Sequence, residues 1–277
     1  MKIGSKEILF CEIHPITYWI STEKEALKRH ISDFRSKQTF ATQLSEQMLP
    51  HLISHNESAL IKKGPGIDPA LQYNKAHNID ISSRTMHGLL IKPGEMYSFW
   101  RLVGRISEKK GYRDGRVIMD QKIDAGLGGG LCNLANSINL LLLHSPLNIT
   151  EFHTHSDALA PDNGHRVPFA TGTSVAYNSQ DLRFINNTDQ TIQLRVWNED
   201  EKLHAELRSE REFPHDYRLV EENHHFTRIG DKFYRLSKIY REVVDKMTGQ
   251  VVDRSLVLDN KSEVMYDYDL IPQDQIR

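Results

Sequence analysis

Gly126-Leu127-Gly128-Gly129-Gly130-Leu131-Cys132-Asn133-Leu134-Ala135-Asn136-Ser137-Ile138-Asn139-Leu140-Leu141-Leu142-Leu143 changes character halfway along, and that change organises the reading of the chain. Four of the 16 glycines fall within its first five residues. Glycine collects where the backbone must take φ > 0 or pass close to another group. Beyond the loop, Leu131, Leu134, Ala135, Ile138, Leu141 and Leu142 recur at the spacing of one buried helical stripe. Cys132, Asn136 and Asn139 share the adjacent flank, at about 100° per residue. A cysteine in a helix's first turn faces unpaired N–H groups and the positive dipole end, which favour thiolate over thiol. Cys132 therefore marks a candidate active or binding site. The helix is expected to end at His144-Ser145-Pro146, since a residue before proline is disfavoured in helical geometry.

Downstream, Asn148 to His155 reads as a strand. With a period of two, Ile149, Glu151, His153 and His155 point one way. A face with one carboxylate and two imidazoles does not suit an apolar core. A polar loop follows from Ser156 to Phe169, carrying Asp157, Asp162, Asn163, His165 and Arg166. The last third alternates apolar and polar residues in strand-length runs: Leu182 to Ile185, Ile192 to Trp197, Leu203 to Leu207, Tyr217 to Glu221, Phe233 to Val244 and Val251 to Leu258.

Upstream, the chain reads as helical from about Thr22 to Lys62. Ala26, Leu27, His30, Ile31 and Phe34 recur at helical spacing, and a second helix is expected over Gln43 to His51. The breaker-rich run from Lys62 to Pro69 marks a boundary between a helix-rich segment, 1–66, and the remainder, 67–277, unless the two form one continuous unit. A short helix is expected around Leu71 to Ala76, a strand at Leu89 to Ile91, and an aromatic strand at Met96 to Trp100. The fold class is α+β: a helical N-terminal segment, then a β-rich domain with a central helix after a Gly-rich loop.

Composition narrows the function classes. A net charge of −2, with 26% charged residues, gives no electrostatic case for nucleic acid or an anionic membrane as the partner. No apolar run is long enough to span a bilayer. Two cysteines, Cys11 and Cys132, cannot build a disulfide framework, and the run from Ile8 to Ile13 is too short for a secretory core. A cytoplasmic location is the expectation.

Several segments carry a resemblance. Pro93-Gly94-Glu95-Met96-Tyr97-Ser98-Phe99-Trp100, Lys110-Gly111-Tyr112, Gly128-Gly129-Gly130-Leu131-Cys132, Glu151 with His155-Ser156, Pro168-Phe169, and Asp181-Leu182-Arg183-Phe184-Ile185-Asn186-Asn187-Thr188 resemble motifs of the VanW family, over roughly residues 70 to 270. Asn133, Phe152 and Ala170 depart from the family's usual glutamine, arginine and glycine. With peptidoglycan precursors as the family's context, the resemblance implies a small-molecule or peptide ligand bearing an amide or peptide bond. It supplies no cofactor and no reaction.

Three readings of the site follow. In the first, Cys132 is the nucleophile of a cysteine-dependent hydrolase or acyltransferase, with His155 or His153 as base. Backbone N–H groups around Gly130 to Asn133, or the Asn133 amide, would then hold the oxyanion, and Asp157, Asp162 or Asp181 would orient the imidazole. In the second, a non-catalytic module binds its ligand through the glycine loop, Asn133, Glu151, Arg166 and the histidines. In the third, His153 and His155 ligate a metal together with Glu151, His165 or Cys132. Against all three stand plainer roles: a small buried cysteine and a glycine loop that is only a tight packing contact.

Overall fold

The computed structural model describes residues 2–3, 6–7, 14–63, 68–119, 122–154, 156–158, 161–162, 172–177 and 179–277. The elements run β1 (Lys2–Ile3), β2 (Lys6–Glu7), α1 (Pro15–Ser36), β3 (Gln43–Leu44), β4 (His51–Ala59), α2 (Pro69–Arg84), β5 (Leu89–Ile91), β6 (Met96–Ser98) and α3 (Phe99–Val103). They continue with β7 (Asp114–Met119), β8 (Lys122–Leu127), α4 (Leu131–Leu143), β9 (Asn148–Glu151), β10 (Arg183–Ile185), β11 (Ile192–Glu199), β12 (Lys202–Ser209), β13 (His215–Ile229), β14 (Lys232–Asp245) and β15 (Val251–Glu263). The class is α+β, with a helix in the N-terminal segment.

The central sheet is antiparallel, in the order β3-β5-β11-β12-β4, and α4 packs on β4 and β12. Leu194, Val196, Leu203, Ala205 and Leu207 from the sheet meet Leu131, Leu134, Ala135, Ile138, Leu141 and Leu142 from α4, so the stripe read from the sequence is the face that builds the core. A second sheet, β6-β10-β9, stacks Tyr97 on Phe184 with ring centroids 4.7 Å apart. The long strands β13, β14 and β15 form a third sheet, beside which a small core gathers Ala158, Phe226, Val264 and Ile271. Strands β7 and β8 form a hairpin that leads into α4.

Several local expectations change: the strand expected to reach His155 ends at Glu151, and Met96 to Trp100 divides between β6 and the start of α3. Gln43 to His51 is not a helix: it holds the short strand β3 and the start of β4. Strand pairing with β12 governs there, and the alternation is disguised because Ser54, Asn56 and Ser58 turn polar side chains toward α4. Helix α1 starts earlier than Thr22, capped by His14, whose Nδ1 accepts from Ile16 N at 3.1 Å. Leu27 and Phe34 of its apolar stripe face outward, at 61% and 86% exposure, while among its described residues Ala26 and Asp33 are buried. Helix α2 is longer than Leu71 to Ala76, because Asp68 caps its start, accepting from Ala70 N at 2.8 Å, and Pro69 suits its first position.

Candidate functional site

The glycine loop joins the β7–β8 hairpin to α4 by close backbone contact. A Cβ placed on Gly115 would lie 2.7 Å from Gly129 O, and one on Gly129 would overlap the Gly115 backbone. One on Gly128 would meet Ile106 at 2.6 Å, and one on Gly130 would collide with Lys75. Asn78 of α2 fastens the junction, donating to Gly129 O at 3.0 Å and Arg113 O at 2.9 Å. Its own side-chain oxygen accepts from Arg113 N at 2.9 Å. Tight packing therefore accounts for these glycines.

Cys132 lies in the first turn of α4, partly buried, with Sγ 3.8 Å from Val175 O. Burial pushes its thiol up, and the Val175 contact only partly opposes this. This corrects the expected depression: enclosure outweighs the helix end. Asn133 faces the other way, its Oδ1 accepting from Ser58 Oγ on β4 at 2.9 Å. On the Cys132 flank, the Oδ1 atoms of Asn136 and Asn139 are buried and have no hydrogen-bond partner among the described residues.

Glu151 and His153 share a face as the alternation requires: His153 Nε2 lies 3.1 Å from Glu151 Oε1. The His153 backbone meets the segment that also covers Cys132. Ser174 N donates to His153 O at 2.6 Å, and His153 N to Thr173 Oγ1 at 3.2 Å. One stretch, 173–175, thus touches both the cysteine and the histidine-bearing segment. His155, His165, Asn163, Arg166 and Pro168-Phe169 lie outside the described residues, as do residues 64–67 of the expected boundary.

What sequence reading missed is the ionic network around Glu151. Arg29 of α1 grips it with both terminal nitrogens, at 2.8 and 3.0 Å, and Asp181 N donates to it at 3.0 Å. Burial would push the Glu151 carboxyl up, but Arg29, His153 and the Asp181 N–H together hold it at about 2. Arg183 donates to Asp181 at 2.7 Å and, two-pronged, to Asp33 at 2.6 and 3.1 Å. Asp33 and Asp181 more than offset the burial that disfavours the Arg183 charge, so it is held firmly protonated. Asp181 also accepts from Ser98 Oγ at 2.6 Å and Trp100 N at 3.1 Å, which commits that candidate orienting acid to structure. The available signal was the alternation of Asp181 and Arg183 with Leu182 and Phe184, all four buried.

Among the described residues, no group of three or more His, Cys, Asp or Glu side chains is placed to hold a metal ion. No described helix is long and apolar enough to cross a membrane.

Comparison with known proteins fits the motifs now located. The profile of the family described as VanW like protein matches residues 74–208. The chain is 30% identical over 227 residues to the Vancomycin B-type resistance protein VanW of Enterococcus faecalis, covering 82% of each chain. It is 26% identical over 123 residues to the Uncharacterized protein YoaR of Bacillus subtilis, covering 44% of this chain and 39% of that one. No solved structure matches it.

Proposed function

The chain belongs to the VanW-like family, and from that premise we propose that it is a binding module for peptide or amide groups of cell-wall precursors, centred on the Cys132 flank of α4. The observation that carries this reading is the pair of buried carbonyl oxygens of Asn136 and Asn139, which have no partner among the described residues. A buried acceptor left without a donor costs about 1–3 kcal/mol. Two of them on one helical flank favour a ligand rich in N–H groups, and a peptide backbone offers such donors at regular intervals. The segment 173–175 supplies a second wall, because it contacts both Cys132 and His153.

Binding fits these residues better than thiol catalysis. Cys132 Sγ faces a carbonyl rather than a base among the described residues, and its thiol is pushed up. The name of the Enterococcus relative associates that protein with vancomycin resistance, which supports cell-wall peptides as the first ligands to try.

The test is a titration of the full chain with a soluble cell-wall stem peptide, followed by amide chemical shifts. Saturable shifts along α4 and the 173–175 segment are expected. Asn136→Leu with Asn139→Leu should remove them, while Cys132→Ser should keep the affinity within about twofold. Shifts that persist in the double-leucine variant would overturn the site. Cleavage of the peptide that vanishes in Cys132→Ser would replace binding with catalysis.

A further inference from the structure

A cavity of about 540 Å³ lies where three parts of the chain meet: residues 44–46 at the end of β3, the last turn of α2 with His87 just beyond it, and the end of β11. Its volume falls within the roughly 300–1,000 Å³ typical of small-molecule sites. None of its lining residues belongs to the Cys132 flank or to the 173–175 segment. Trp197 gives the lining its aromatic surface. The ring is fixed in advance: it stacks on His204 with centroids 5.1 Å apart and planes 13° from parallel, and Nε1 donates to Glu199 Oε2 at 3.2 Å. His87 meets it edge-on, with centroids 6.0 Å apart. Because His204 covers one face, what Trp197 adds to the lining is the opposite face and the ring edge.

Polar groups of both kinds accompany the indole. His87 Nδ1 lies 2.8 Å from Val196 O, and a carbonyl only accepts, so in the neutral ring Nδ1 carries the proton and Nε2 offers a lone pair. Asn198, also in the lining, commits its Nδ2 to Ala76 O at 2.9 Å, while its Oδ1 is buried with no partner among the described residues. A ligand hydroxyl admitted there would supply the missing donor. Arg84 faces the cavity from α2 with one terminal nitrogen on Asp80, which leaves it further N–H groups to donate. That ion pair also neutralises Asp80, so the remaining charge in the lining is the exposed Glu46, a weak lure for a cation.

We propose that this cavity is a binding site for a neutral saccharide, with a pyranose ring lying on Trp197 and its hydroxyls meeting His87, Arg84 and Asn198. A pyranose whose hydroxyls are equatorial turns C–H groups to the electron-rich indole face, and its hydroxyls both donate and accept around the ring edge. A fixed aromatic surface with acceptors and donors beside it, and little net charge, suits that chemistry. The site is separate from the asparagine flank of α4, so it stands or falls independently of the peptide-binding reading.

The test titrates the full chain with methyl β-glucopyranoside and follows the Trp197 indole N–H and the Ser83 and Asn198 backbone amides by NMR. Saturable shifts at millimolar glycoside are expected. Sorbitol, which has the hydroxyls but no ring face, should leave these signals unmoved at the same concentration. Trp197→Leu should weaken binding roughly tenfold, read on the two amides. Arg84→Met alters a side chain that is 75% exposed, so it should keep the unfolding midpoint while weakening binding about threefold. The proposal is overturned if the glycoside gives no saturable shift, if sorbitol matches it, or if Trp197→Leu binds as the wild type does. Saturation by tetramethylammonium with no response to the glycoside would overturn it in favour of a cation site. Should Trp197→Leu fail to fold, Arg84→Met decides, and unchanged affinity there overturns the proposal.

Discussion

Arg29 and Glu151 lie 122 residues apart in sequence and meet as a two-pronged ion pair at 2.8 and 3.0 Å. Both side chains are three-quarters enclosed. Removing one partner strands the other, so Arg29→Met should cost about 2–4 kcal/mol in urea unfolding. Glu151→Gln should cost a similar amount, and the double variant less than their sum, because the groups share one network. Additive losses would mean that the pair is not energetically coupled.

Acid should act through the same carboxyl. The folded value for Glu151 is about 2, against an ordinary 4.5. A depressed carboxylate contributes its stabilisation fully above 4.5 and loses it as pH falls toward 2, a contribution of order 3 kcal/mol. Chemical unfolding measured across that window should show the wild-type stability falling more steeply than that of Glu151→Gln. Parallel curves would assign the acid sensitivity to other groups.

Cys132 should be a slow thiol. Since burial pushes its thiol up, iodoacetamide should modify it in the folded chain more slowly than it modifies a free cysteine at pH 8. The rate should recover after denaturation. Rapid modification of the native protein at neutral pH would restore the nucleophile.

The glycine junction predicts a contrast between two alanine variants. Gly129→Ala drives a methyl into the Gly115 backbone, where neither side can yield, so it should cost about 3 kcal/mol or abolish folding. Gly94→Ala has open space around the new methyl but sits at φ 80°, so it should cost only about 1 kcal/mol. Thermal unfolding of the pair separates collision from backbone strain.

Sequence and structure agree where the physics is local or repetitive. The α4 stripe and strand β12 were legible because burial follows period 3.6 in the one and period 2 in the other. The failures share a cause, which is that polar residues face inward. Ser54, Asn56 and Ser58 bond to α4, and Gln72, Asn78 and Ser82 bond to Lys62, to Arg113 and Gly129, and to Tyr112, so neither β4 nor α2 advertises its buried side through hydropathy. Helix α1 misled most, because its apolar residues look like a core face. Its inner face carries Ala26, Arg29 and Asp33, and the partners of the last two, Glu151 and Arg183, are more than a hundred residues away. As for the site, Cys132, Glu151 and His153 could be singled out from the sequence, but not the cations that claim Glu151.

Among the described residues, helix α1 is fastened by the ionic contacts of Arg29 and Asp33, and this gives its release a distinct thermal character. Lifting it from the body exposes little additional surface of Leu27, Ile31 and Phe34, which already meet water. The opening carries a small heat-capacity change, so its free energy should vary almost linearly with temperature while that of the sheet curves. Cooling should weaken the leucine-rich core before it weakens this helix, and amide exchange along α1 should part company with exchange in the sheet at the cold end of the scale.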